Sequence, residues 1–215
     1  MNELNLEQKI INRLILENQF ISDIGLFYGK MGISIFFFEY GRYSHSDIYI
    51  NIGEELLDDI LKNLYTDLSF RFDTGLSGIG WGIEYLLQND FIEGDANEIC
   101  EEIDSKIMQT NLMRLTDASL ETGLEGIFYY LSARMHGASC QNKILPFDIN
   151  YLKEVFELIR PYILIENLNK FYSCYPLTLE LLFDNAIVNE TSYLSQPLGL
   201  KNGIAGFLLN KILSL

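Results

Sequence analysis

Gly29-Lys30-Met31-Gly32-Ile33 returns three more times along the chain, as Gly75-Leu76-Ser77-Gly78-Ile79, Gly123-Leu124-Glu125-Gly126-Ile127 and Gly203-Ile204-Ala205-Gly206-Phe207. Each copy opens an apolar run: Ile33 to Tyr40, Ile79 to Leu87, Ile127 to Ala133 and Phe207 to Leu213. A short pattern that recurs ahead of similar segments is the mark of a repeat architecture. The runs are apolar nearly all round, as expected of helices enclosed by other helices. Glycine permits a tight non-helical turn into a helix and, lacking a Cβ, lets neighbouring backbones approach closely. It also leaves the first free N–H groups uncovered, so a ring of such starts would frame a depression of partial positive charge, a place for a ligand. The plainer reading is that the glycines serve helix packing alone.

Amphipathic stretches lie between these inner helices. Ile52, Leu56, Leu57, Ile60, Leu61 and Leu64 recur at three- and four-residue steps, with charged residues such as Glu54, Asp58 and Lys62 opposite, which predicts an outer helix. A second is expected from Asp95 to about Met113, with Ile99, Ile103, Ile107 and Met108 sharing a face. A third starts near Asp148, a good N-cap, and carries Leu152, Val155, Phe156 and Ile159 up to Pro161. The interval from Gly123 to Gly203 is much longer than the others, and an extra helix over Leu177 to Val188 is expected there, as a repeat without its glycines. Pro146, Pro161, Pro176 and Pro197 all fall in this part, marking it as the more irregular one.

The 215 residues are 48% hydrophobic with a mean hydropathy of +0.10, enough for one substantial core, so one domain over 1–215 is expected. Asp and Glu number 30 against 15 Lys and Arg, a net charge of −15. Such a surface repels phosphate backbones and anionic headgroups. Neither nucleic acid nor a membrane is an expected partner, while a basic peptide or a small molecule suits the field. Cys100, Cys140 and Cys174 are odd in number and widely spaced, forming no recognisable disulfide framework, which fits a reducing, cytoplasmic setting. The first residues carry Glu3 and Glu7 without a basic region leading into an apolar stretch, so no signal peptide is read there. The longest apolar run, Ile33 to Phe38, falls short of the ~20 residues of a membrane helix.

Gly25-Leu26-Phe27-Tyr28-Gly29-Lys30-Met31-Gly32 and Gly199-Leu200-Lys201-Asn202-Gly203-Ile204-Ala205-Gly206 both read G-L-x-x-G-x-x-G, and Gly75-Leu76-Ser77-Gly78-Ile79-Gly80-Trp81-Gly82 is similar to a second type of repeat start. From about Gly25 to the C-terminus, and least over 140 to 195, the chain resembles the lanthionine synthetase C-like family. The resemblance implies an all-α fold, an α/α toroid with an inner ring of helices within an outer ring. The chain offers fewer helices than a complete toroid of this family, so the ring is expected to be smaller, open on one side or completed by a partner. An open edge would favour a homodimer. The family's cyclases hold zinc through two cysteines and a histidine and activate a peptide thiolate for thioether formation.

Those ligands sit one or two residues before a repeat's first glycine. Here the corresponding pairs are Phe27-Tyr28, Asp73-Thr74, Glu121-Thr122 and Lys201-Asn202, without Cys or His. Lysine is a poor zinc ligand and asparagine does not replace imidazole, so the cyclase zinc site is expected to be missing, and no cofactor is expected. His136 and Cys140 have a ligand-like spacing but lie toward the end of an inner helix, where an incidental cysteine is the simpler reading. His45 reads as a surface or capping residue, and Cys100 and Cys174 as core thiols. Asp73 lies near an acidic position of the cyclases, offset from it, and capping the next turn is its simpler role. Trp81, the only tryptophan, sits one turn into the second inner helix, where it either lines a cavity or packs in the core.

The function read from these residues is that of a zinc-independent relative of the cyclases that binds a peptide or assists its modification, with Asp73, Trp81, Lys201 and Asn202 at its mouth. The alternatives are a carboxylate-based, glycosidase-like enzyme on the same fold, drawing on Asp73, Glu84, Glu121 and Glu125, and a purely structural helical scaffold.

Overall fold

A computed structural model describes residues 5–64, 68–141, 143–159, 179–182 and 188–214. Among the described residues every regular element is a helix: α1 (Leu6–Glu17), α2 (Lys30–Ser44), α3 (Asp47–Asn63), α4 (Leu76–Gln88), α5 (Ala96–Ile99), α6 (Glu101–Gln109), α7 (Leu124–Cys140), α8 (Ile149–Ile159) and α9 (Ile204–Leu213). Short 3-10 turns cover Asn18–Phe20, Leu112–Arg114 and Leu179–Leu182. That last turn is the described part of the helix expected over Leu177 to Val188, apart from Val188 itself; the rest of it, with Pro161, Cys174 and Pro176, lies outside the described residues. No described helix is long and apolar enough to cross a membrane. The chain divides into two compact units, Met1–Leu68 with Leu179–Leu215, and Ser69–Thr178.

In the first unit α2 is the central helix. Every residue from Met31 to Gly41 is buried, and Phe36, Phe37 and Phe38 are fully so, each stabilising the unit by about 1.5–3 kcal/mol through removal from water. The helix stops at His45, an exposed C-cap residue in the left-handed region at φ 52°. Two residues later α3 turns back and runs antiparallel along α2. Gly41 faces Ile50 and Gly53 faces Phe38, the Ser34 hydroxyl donates to the Gly53 carbonyl at 2.8 Å, and Lys30 meets Asp59 at 2.5 Å. The buried face of α3 is Gly53, Leu56, Leu57 and Ile60, with Leu64 buried just beyond the helix end; of the stripe predicted from the spacing, Ile52 and Leu61 are only half-buried. α9 packs on α2, and α1 packs on α9. A capping box opens α1: the Asn5 side chain accepts from the Gln8 N–H at 2.9 Å, while the Gln8 side chain accepts from the Asn5 N–H at 3.2 Å.

In the second unit α4 is buried from Leu76 through Leu87 and lies parallel to α7. Phe72, just ahead of α4, touches Gly126; Gly80 meets Tyr130; Glu84 and Gln88 meet Gly137. The outer helix expected from Asp95 to Met113 arrives in three pieces, α5, α6 and the turn at Leu112–Arg114. Its first break is at Cys100, at φ −97° and ψ 6°. In an unbroken helix Asn97 and Asp104 would stand about 10 Å apart along the axis. With the break, both reach one nitrogen of Arg134, at 3.0 and 2.6 Å. The third expected outer helix forms as α8, with the Asp148 carboxylate accepting from the Asn150 N–H at 2.7 Å and Leu152 and Val155 buried.

Candidate functional site

The four glycine starts share one local structure. The first helical N–H of each, on Lys30, Leu76, Leu124 and Ile204, donates to the carbonyl seven residues earlier, that of Asp23, Ser69, Asp117 and Pro197, at 2.9, 2.8, 3.0 and 2.9 Å. The glycine ahead of each helix is extended, with φ between −108° and −124°, a conformation open to any residue. Space, not backbone freedom, demands glycine. A Cβ on Gly29 would stand 2.5 Å from the Asp23 carbonyl oxygen, and one on Gly75 or Gly123 would collide with the carbonyls of Ser69 or Asp117. Gly32, Gly126 and Gly206 are crowded in the same way by the carbonyls of Leu26, Leu120 and Leu200. At the starts of α2, α7 and α9 both glycines of the repeat thus make room for main-chain carbonyls of the entry loop.

Within each unit the loops meet in a matching way. The Lys201 N–H donates to the Phe27 carbonyl at 3.0 Å, and the Asp73 N–H donates to the Glu121 carbonyl at 3.1 Å. All four residues stand two positions before the first glycine of their repeat. Two starts therefore lie side by side in each unit, joined through equivalent main-chain groups.

The residues expected at a mouth fall on these loops. Lys201 holds its ammonium 5.1 Å from the centre of the buried Phe27 ring, a cation–π contact. Asn202 is exposed and left-handed at φ 54°, a region Asn tolerates well. Both belong to the first unit. In the second unit Asp73 is 2% exposed; Arg71 grips both its oxygens, Nε at 2.8 Å from Oδ1 and Nη2 on Oδ2, and the Thr74 N–H donates to Oδ1 at 2.7 Å. Burial pushes the Asp73 carboxyl up, but the Arg71 and Thr74 hydrogen bonds outweigh it and hold the group below the usual carboxylate range. Trp81 is 2% exposed, edge-on to Phe72 at 6.0 Å and stacked on Tyr85 at 5.6 Å. It forms part of the second unit's core.

Of the other carboxylates, Glu84 is buried against Arg134, Glu121 gives its carbonyl to the paired loops, and Glu125 is exposed in the first turn of α7. Cys140 Sγ lies 3.5 Å from His136 Nε2 at the exposed end of α7, and among the described residues no three His, Cys, Asp or Glu side chains gather as a metal site. Cys100 is a buried free thiol whose burial pushes it far above the ordinary range.

Sequence reasoning named Glu84 but not Arg134, Asp104 or Tyr130, with which it forms the most concentrated chemistry of the second unit. Arg134, fully buried, donates through Nη1 to Glu84 at 2.6 Å and through Nη2 to Asp104 at 2.6 Å, and Tyr130 donates to Asp104 at 2.5 Å. Two signals were present: an arginine directly after the apolar run of α7, and an aspartate beside Ile103 and Ile107 on the buried face of α6. No family model matches this chain, and no curated protein matches it either.

Proposed function

We propose that this chain is a reduced α/α toroid of the lanthionine synthetase C-like kind that binds a peptide, or assists its modification, without zinc and in the cytoplasm. The observation that carries the reading is one entry loop repeated four times. A ring also requires its last member to meet its first, and the start of α9 is hydrogen-bonded to the start of α2 through the same position that joins α4 to α7. On this reading Asp73, Trp81, Lys201 and Asn202 are the binding residues. The net charge of −15 favours a basic peptide. Carboxylate catalysis has less support, because Asp73 and Glu84 are each held by an arginine.

The test has two parts. Purified chain exposed to zinc and dialysed is expected to retain well under one equivalent. Titration with a synthetic lysine-rich peptide containing Ser and Cys is expected to show binding that weakens with salt. Asn202→Gly keeps the left-handed backbone and removes the amide, and should weaken that binding by several-fold to about tenfold, the worth of one hydrogen bond. One tightly held zinc per chain, or no binding of the lysine-rich peptide, overturns the reading.

A further inference from the structure

The interior of the second unit holds two carboxylates against one guanidinium. Arg134, Glu84 and Asp104 are 0%, 1% and 4% exposed. With all three ionised the cluster would carry one uncompensated negative charge away from water, which is costly enough that such a group takes up a proton instead. The other groups around it do not supply the missing positive charge. From α4 comes Gln88, from α5 Asn97, from the break Cys100 and from α7 Tyr130; the nearby Asp95 is already matched with Lys143 at 2.9 Å.

The two carboxyls differ in the donors each receives, and Asp104 has the stronger set. Asp104 receives the Tyr130 hydroxyl at 2.5 Å, Arg134 Nε at 3.1 and 3.2 Å and Arg134 Nη2 at 2.6 Å, so both its oxygens face several donors, as an anion requires. Glu84 receives Arg134 Nη1 at 2.6 Å on Oε1 and a neutral amide, Gln88 Nε2, at 2.7 Å on Oε2. We propose that Glu84 is held as the neutral acid, leaving Arg134 and Asp104 as the ion pair, and that this proton makes the packing of α4 on α7 sensitive to pH.

No bond forms or breaks apart from the O–H. Glu84 keeps one proton taken from solvent on folding, and the Gln88 amide turns its carbonyl toward that O–H, giving up its 3.1 Å bond to the Ala133 carbonyl. Burial, the first cause, raises the carboxyls of both Glu84 and Asp104, against the hydrogen bonds from Arg134. The consequence falls on the helix contact, because the Glu84 carboxyl lies against Gly137 of α7. Loss of the proton places a charge in that seam.

The sign follows from linkage. A carboxyl raised on folding contributes stability that is complete below its unfolded value of about 4.3 and is lost as pH rises through the folded value. Infrared spectroscopy of the full chain at neutral pH should show a protonated-carboxyl carbonyl band that shifts when glutamate is labelled with carbon-13 and vanishes in Glu84→Gln. In urea titrations from pH 5 upward, the folding equilibrium constant of the wild type relative to Glu84→Gln should fall as pH rises, by at most tenfold per pH unit, until Glu84 has lost its proton. The absence of a protonated band, a band that glutamate labelling leaves unmoved, or one that survives in Glu84→Gln overturns the proposal; the first two are read on the wild type and do not depend on the variant folding.

Discussion

Gly203 and Asp73 show how single residues set the helix starts. Gly203 adopts a backbone that any residue could adopt, yet a Cβ there would collide with the Gly199 carbonyl. Gly203→Ala should therefore destabilise the chain by about 1–3 kcal/mol, an overpacking cost, read as a lower urea midpoint, and Gly123→Ala should do the same against the Asp117 carbonyl. Asp73 makes the opposite pH statement to Glu84. Its carboxyl is held below the usual range, so its contribution is present above the unfolded value of about 3.9 and is lost as pH falls through the folded value. Asp73→Asn should flatten the acid side of the stability profile and leave the neutral-to-alkaline slope unchanged. The need for glycine was legible in the sequence because sterics at a helix start recur at fixed spacing. The bidentate Arg71–Asp73 contact was not, because an arginine two residues away can point anywhere until the loop is closed.

At the scale of elements, the inner helices were the most legible parts, since a segment apolar all round has few other places to go. The outer helix over Asp95 to Met113 shows where periodicity fails. Ile99, Ile103 and Ile107 keep a helical step, but the Arg134 guanidinium draws Asn97 and Asp104 together and the helix breaks at Cys100. That long-range demand comes from α7, and the local pattern shows only a polar Asp104 between Ile103 and Ile107, not the break it produces. Arg134→Met should cost about 3–5 kcal/mol, the usual loss when one partner is removed from a buried ion pair. The loss should shrink in acid, where Asp104 can be protonated, and denaturation at neutral and acidic pH measures both. Gly137→Ala would place a Cβ against the Glu84 carboxyl and should lower the denaturation midpoint by separating α4 from α7.

At the scale of the molecule, the proposed ring turns four local likenesses into one surface. Tyr28, Thr74, Thr122 and Asn202 each stand immediately before a repeat's first glycine, and in a ring all four belong to one mouth. Adjacent packed helices lie about 8–10 Å apart, so a small inner ring would hold Thr122 and Asn202, which are not joined by a loop pairing, on the order of 20 Å from each other. The residues ahead of the glycines were legible as a set, and their lack of Cys and His is a direct reading; what they bind depends on a convergence that spacing does not encode. The most direct measurement is double electron–electron resonance on the full chain labelled at Thr122→Cys and Asn202→Cys, with the native Cys140 and Cys174 replaced by serine. A single narrow distance on the order of 20 Å is the result the ring predicts. A distance twice that, or a broad distribution, would contradict it.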